Sequence, residues 1–166
     1  MPASLLVTND LGPRAGGIET FVHGLIDELF KEPGASLTIY TSYQEGHEAF
    51  DKDLADRYGV EVVRDRMTML LPTPRVNRAV AKLMRERGIT TVWFGALAPL
   101  GWMSGLLRRN GATRIISLTH GHEVWWAKVF PFSLIIRAMT RHIDLITYLG
   151  DFTHRSMQPA LSSRVA

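Results

Sequence analysis

Ser4-Leu5-Leu6-Val7-Thr8-Asn9-Asp10-Leu11-Gly12-Pro13-Arg14-Ala15-Gly16-Gly17-Ile18-Glu19-Thr20 lies near the start of the 166-residue chain. Its first five residues form an apolar run of strand length, and an amphipathic stretch of helix length begins at Gly17. A strand that passes through a glycine-containing loop into a helix is the first half of a βαβ unit, which implies a parallel neighbour strand.

The same alternation continues outward from that stretch. Further apolar runs at Ser36–Thr41, Val60–Arg64, Thr91–Phe94, Arg114–Leu118 and Leu145–Tyr148 predict strands. Several are continuously apolar, as expected when helices cover both faces of a sheet. Gly17–Phe30, Arg75–Arg87, Pro99–Arg109, Phe132–Arg141 and Asp151–Met157 predict helices. Pro33-Gly34, Gly59, Gly88, Asn110-Gly111 and Gly150 punctuate them as turns. The polar, acidic Tyr43–Tyr58 segment reads either as a loop or as a short surface helix. The expected architecture is α/β, a Rossmann-like doubly wound parallel sheet in one domain spanning 1–166. Ligands in such sheets bind beyond the carboxyl ends of the strands, just after Thr8, Phe94, Leu118 and Tyr148.

Composition narrows the chemistry. With 46% hydrophobic and 21% charged residues the chain is ordinarily globular, and with no cysteine it excludes disulfides, thiolate metal sites and cysteine nucleophiles. No signal peptide and no membrane-spanning run are read from the sequence, so a soluble protein is expected. The net charge of +3 conceals a division, because residues 1–65 sum to −7 and residues 66–166 to +10. A basic surface toward phosphates, an anionic membrane or another acidic partner is one reading, and a tally of solvated faces is the other.

Gly16 and Gly17 stand where the first loop becomes a helix. Their bare backbone and the unpaired amides of the helix start suit an anion, with Arg14 as a charged supplement. A tight turn that needs glycine for geometry alone is the plainer explanation. Neither the dinucleotide fingerprint nor a P-loop is present, which disfavours NAD enzymes and P-loop NTPases. After the fifth strand, Ser117-Leu118-Thr119-His120-Gly121-His122-Glu123 sets His120 at a sheet edge, where an imidazole contacts a sugar hydroxyl or phosphate or simply bonds within its turn. His120, His122 and Glu123 lack the spacing of a metal site, and none is assigned. No nucleophile elbow and no catalytic triad is readable.

Trp93-Phe94-Gly95-Ala96 suggests close helix–strand packing. Trp125-Trp126 is compatible with core, with an apolar acceptor wall or with a membrane-contacting tip. At about 100° per residue, Arg75, Arg78, Lys82 and Arg85 form a stripe opposite Val76, Val80, Leu83 and Met84. That stripe is either a solvated cationic face or a surface for anionic lipid headgroups, with Leu70-Leu71-Pro72-Thr73-Pro74 as an apolar loop beside it. Nucleic acid is not expected, because no stacking pattern or nucleic-acid module accompanies the charge.

The segments Val7-Thr8-Asn9-Asp10, Pro13-Arg14, Gly16-Gly17-Ile18-Glu19, Leu71-Pro72-Thr73-Pro74, Val92-Trp93-Phe94-Gly95-Ala96 and Thr119-His120-Gly121-His122-Glu123-Val124 resemble the N-terminal half of family-4 GT-B glycosyltransferases. They look most like the GDP-mannose-dependent phosphatidylinositol monomannoside α-(1-6)-mannosyltransferases of actinobacteria. The resemblance implies retaining transfer of mannose from GDP-mannose to a phosphatidylinositol mannoside, without a bound metal or other cofactor. It implies that Gly16 and Gly17 face the donor diphosphate or reacting centre and that His120 contacts the transferred sugar. It further implies a lipid-linked acceptor approaching this domain, at the cytoplasmic face of the plasma membrane.

Such enzymes carry a second, nucleotide-binding domain with an E-x7-E pair, which is not found before Ala166. The expectation is therefore an acceptor-side half that is inactive alone, completed in cis or in trans, with an exposed inter-domain face that favours homo-oligomers. A family-4 transferase with another donor and acceptor, and a non-catalytic α/β module binding an anionic lipid or glycan, are the alternatives.

Overall fold

The computed structural model describes residues 3–14, 16–30, 34–121 and 123–165. Six parallel strands, β1 (Ser4–Thr8), β2 (Leu37–Thr41), β3 (Glu61–Arg64), β4 (Thr91–Phe94), β5 (Arg114–Ser117) and β6 (Leu145–Ile146), form one sheet in the order β3-β2-β1-β4-β5-β6. The chain winds outward from β1 to β3, returns to β4 beside β1, and then winds the other way. Strand order therefore reverses between β1 and β4, the switch point at which crevices open in doubly wound sheets. Register aligns Leu6 with both Ile39 and Trp93, and Val7 with both Tyr40 and Phe94.

The helices are α1 (Gly17–Phe30), α2 (His47–Tyr58), α3 (Pro74–Arg87), α4 (Ser104–Arg109), α5 (Glu123–Lys128), α6 (Phe132–Thr140) and α7 (Asp151–Met157). In α3 local signals are complete. The Thr73 side chain accepts a hydrogen bond from the Val76 amide at 3.3 Å, Pro74 occupies the first turn, and Gly88 closes the helix at φ 62°. A hydroxyl cap, an amide-free first position and a left-handed glycine stop are the expected punctuation.

Apolar side chains gather in two clusters, one on each sheet face. On one side Leu6, Ile39, Val22, Ile26 and Leu54 pack under α1 and α2. On the other, a larger cluster joins Leu5, Val7, Val92, Phe94 and Ile115 to Val76, Val80 and Met84 of α3 and to Met103, Leu107, Ile136 and Met139. Burying each such aliphatic side chain stabilises the fold by roughly 1.5–3 kcal/mol.

The sheet, its parallel pairing and most element bounds match the sequence reading. One open reading is decided, and two points differ. The polar Tyr43–Tyr58 segment contains a full helix, α2, held by pairs one turn apart: His47 with Asp51, Asp53 with Arg57, and Lys52 with Asp56. The stretch expected as one helix over Pro99–Arg109 is a 3₁₀ turn at Leu100–Met103 followed by α4, with Pro99 preceding the first turn. Helix α5 was not anticipated. Among the described residues no helix is long and apolar enough to cross a membrane.

Candidate functional site

The carboxyl end of β1 is built by side chains reaching between loops. Thr8 Oγ1 accepts from the Asp10 amide at 3.0 Å. The Asn9 side-chain amide pairs with Leu70 as a strand would, accepting from its N–H at 2.6 Å and donating to its C=O at 3.2 Å. Ser42 Oγ donates to the Asn9 carbonyl at 3.0 Å. Below these, the Arg64 side chain is only 6% exposed. Its guanidinium donates to Asp51, to the Ser42 carbonyl at 3.1 Å and to the Gly12 carbonyl at 2.7 Å. One buried cation thus ties the loops after β1 and β2 to α2.

Two cavities open on this frame. One, of about 310 Å³, is lined by Gly12, Pro13, Arg14, Gly16, Glu19 and Phe50 among others. Its neighbour, of about 370 Å³, is lined by Asn9, Asp10, Arg14, Glu19, Tyr43 and Thr68 among others, and is rich in carboxylate and amide groups. Arg14 and Glu19 belong to both. The Glu19 carboxylate lies over Gly16, because a Cβ placed on Gly16 would come within 2.2 Å of Oε2. A negative charge of the chain's own therefore already sits at the positive end of α1, where the sequence suggested an external anion. Gly17 faces open space, with nothing within 4 Å of a Cβ built there.

His120 follows β5 and is half-buried. Its ring Nε2 lies 2.5 Å from the Gly95 carbonyl, so Nε2 carries the proton and donates. Its backbone amide donates to Glu123 Oε2 at 3.1 Å, and its ring meets Phe21 edge-on at 5.6 Å between centroids. Phe21 lies one turn beyond Gly17 on α1. The glycine turn and the imidazole therefore occupy the same end of the sheet, on either side of the β1–β4 switch point, although His120 lines neither cavity. Gly95 packs tightly, though against the end of β1 rather than against a helix: a Cβ there would stand 2.2 Å from Thr8 Oγ1. His122 lies outside the described residues, and among those described no group of three or more His, Asp or Glu is arranged to hold a metal.

The four basic residues of α3 divide. Arg75 makes a two-pronged pair with the fully buried Asp65 carboxylate, with both contacts at 2.8 Å. Tyr40 also donates to Asp65, and the Met67 amide does so at 2.9 Å. Arg78, Lys82 and Arg85 remain exposed. Arg78 Nε donates to the Pro74 carbonyl at 3.1 Å, Lys82 lies 3.6 Å from Glu86, and Arg85 donates to Asn110 Oδ1 at 3.0 Å. In the adjoining loop Leu70 is fully buried rather than exposed, and Met67, Met69 and Leu71 present the apolar surface instead. Trp125 and Trp126 are 76% and 42% exposed, which removes the core reading.

Arg75 beside Asp65 holds that carboxyl down at about 2, while burial, followed by the Asp65 neighbour, pushes the Tyr40 hydroxyl up. A depressed carboxyl stabilises the folded chain fully above its ordinary value of 3.8 and loses that contribution as pH falls from there toward about 2. The contribution is on the order of 2 kcal/mol. Asp65→Asn is therefore expected to flatten the acid limb of a stability curve recorded by urea denaturation between these values. An unaltered limb would locate the acid sensitivity elsewhere. The contacts of Arg64, Asp65 and Asn9 escaped sequence reading, since most join segments distant along the chain; the signals were their position at strand ends and, for Asn9, its place in the Val7-Thr8-Asn9-Asp10 segment.

No protein-family model matches the chain. Over 162 residues, 98% of the chain, it is 38% identical to the GDP-mannose-dependent alpha-(1-6)-phosphatidylinositol monomannoside mannosyltransferase of Mycolicibacterium smegmatis. Over 160 residues it is 37% identical to the GDP-mannose-dependent monoacylated alpha-(1-6)-phosphatidylinositol monomannoside mannosyltransferase of Corynebacterium glutamicum. The chain spans 42% and 41% of the lengths of these two relatives. Among solved structures, Arabidopsis thaliana UGT89C1 complexed with UDP superposes with a TM-score of 0.63 at 11% identity, over 99% of this chain and 47% of that one. The Candida albicans trehalose-6-phosphate phosphatase N-terminal domain gives 0.57 at 14%, over 96% and 42%. These two likenesses concern the fold. The resemblance read from the sequence motifs and the identity along the whole chain agree.

Proposed function

We propose that this chain, similar along nearly its whole length to the actinobacterial phosphatidylinositol monomannoside mannosyltransferases, is the acceptor-side domain of such a transferase. In this reading mannose passes from GDP-mannose to a phosphatidylinositol mannoside at the inner membrane face, and a second lobe, in cis or in trans, holds the nucleotide. The observation that carries it is the 37–38% identity to these enzymes over more than nine-tenths of the chain.

Backbone amides at the start of α1 would offer a leaving diphosphate fixed donors that need no reorganisation. The Glu19 carboxylate over Gly16 must swing aside for that, and its release couples diphosphate arrival to a rearrangement of the two cavities. The cavity of Asn9, Asp10, Glu19 and Tyr43 suits a polyol, because carboxylate oxygens accept from sugar hydroxyls and an aromatic ring covers a sugar face. Arg14 at its rim suits the phosphodiester of an inositol lipid. His120, after β5 on the far side of β4 from this cavity, is half-buried and held by Gly95, and in this reading it orders the transferred sugar.

Titration of the isolated chain with deacylated phosphatidylinositol monomannoside tests the acceptor assignment. Saturable amide shifts confined to residues 9–20 and 42–45 are expected, and a flat titration would overturn it. When the chain is joined to a nucleotide-sugar lobe, His120→Ala is expected to lower turnover about 10²-fold. The accompanying loss of folding stability should be near 1 kcal/mol. Turnover that falls no further than the folded fraction would remove His120 from the site.

A further inference from the structure

Helix α5 is inverted with respect to water. Its acidic residue, Glu123, is fully buried, together with Val124 and Ala127, while its outer face carries Trp125, Trp126 and Lys128. The surface continues past the helix through Phe130, which is 78% exposed, and through Phe132, whose ring lies 5.8 Å from that of Trp126. On the other flank the Lys128 ammonium sits 5.3 Å over the ring of Phe152, which is 71% exposed. Four ring systems and the indole of Trp125 thus make one exposed aromatic corner.

We infer that this corner, at the end of the sheet that bears His120, enters the interfacial layer of an anionic lipid bilayer. The inference rests on the reading that the acceptor is lipid-linked. Three features favour a bilayer over a protein partner. Indole and phenyl rings, rather than branched aliphatics, dominate the patch, as they do at the headgroup level of membranes. The patch crowns a short helix and the turn after it, with Trp125 and Phe130 76% and 78% exposed. Its charges are mainly cationic, with exposed Lys128 over Phe152 and exposed Arg155 one turn further along α7, against the exposed carboxylate of Asp151 in the same helix. Lysine beneath an aromatic rim reaches headgroup phosphates while its stem lies along apolar surface. This surface is separate from the exposed stripe of Arg78, Lys82 and Arg85, so the two would grip a membrane by different means.

The test uses the whole chain and phosphatidylcholine vesicles with and without phosphatidylinositol, some carrying acyl chains brominated near the headgroup. Tryptophan emission is expected to be quenched by the brominated lipid and to keep much of that quenching at high salt. Phe130→Ser leaves every tryptophan in place as a reporter and should weaken vesicle partition about ten-fold. Trp125→Ser together with Trp126→Ser should abolish most of the quenching. Phe130 and Trp125 are so exposed that their variants are expected to keep the wild-type unfolding midpoint, which is measured alongside. The assignment is overturned if Phe130→Ser binds vesicles like the wild type, or if only Arg78→Ser with Lys82→Ser matters. It is also overturned if sedimentation velocity shows that the patch variants dissolve a dimer while no quenching occurs. Quenching requires no turnover, so binding of the deacylated acceptor with unquenched tryptophans would reject the corner and leave the transferase reading standing. Quenching without any acceptor binding would do the reverse.

Discussion

Replacing Arg64 by methionine is expected to destabilise the chain by about 3–5 kcal/mol, the usual cost of leaving the partner of a buried ion pair uncompensated. The methylene stem of methionine preserves much of the packing, so the loss isolates the guanidinium. Asp51 would keep only His47, at 2.8 Å, and the carbonyls of Gly12 and Ser42 would lose their donor in a nearly closed space. Arg64→Lys is expected to recover less than half, since a single ammonium cannot address Asp51 and two diverging carbonyls together. Urea denaturation measures both. A loss below about 1 kcal/mol for Arg64→Met, the range typical of exposed pairs, would mean that water replaces the guanidinium and that the loops do not depend on it. Because Gly12 borders the cavity beneath Gly16, ligand binding in that cavity should weaken in parallel.

Gly95→Ala is expected to cost about 3 kcal/mol, at the upper end of overpacking effects. The added methyl would stand 2.5 Å from Thr8 Cβ and 3.3 Å from Thr8 Cα, so rotation of a flexible side chain cannot relieve it. The two central strands must part at the switch point. That movement carries away the carbonyl to which His120 donates, and the substitution should disturb the imidazole without touching it. A double-mutant cycle provides the check. Thr8→Gly removes both Oγ1 and Cβ, and combined with Gly95→Ala it should recover more than about 1 kcal/mol relative to additivity. Strict additivity would show that the contact is not the source.

Much of the fold could be read because its strands are dense apolar runs whose helices bury a regular stripe. Val76, Val80 and Met84 on α3 are the clearest case. Where burial does not drive the helix, the pattern disappears. Helix α2 buries only Leu54 and is held instead by charges one turn apart, which a hydrophobic period does not register. Helix α5 hides itself the other way, with its large apolar residues outside and its glutamate inside. Gly16, Gly17 and His120 could be singled out because they follow β1 and β5 at the end of the sheet to which topology alone points. What they touch could not. That the Glu19 carboxylate covers Gly16, that Gly95 receives the imidazole proton, and that Arg75 turns inward to Asp65 all follow from neighbours brought together by the sheet order. The alternating stripe of α3 describes one helix in isolation and cannot know that Asp65 waits at its first turn.

The apolar packing is unequal on the two sides of the sheet, and this has a dynamic consequence. The layer of α1 and α2 rests on the smaller cluster and can open sub-globally while β4, β5 and α3 keep their protection. Amide hydrogen exchange should then fall into two tiers, with the thinner layer exchanging first. That layer carries the glycine turn and both cavities, so a ligand bound there would slow exchange across a whole layer of the molecule and make occupancy readable far from the point of contact.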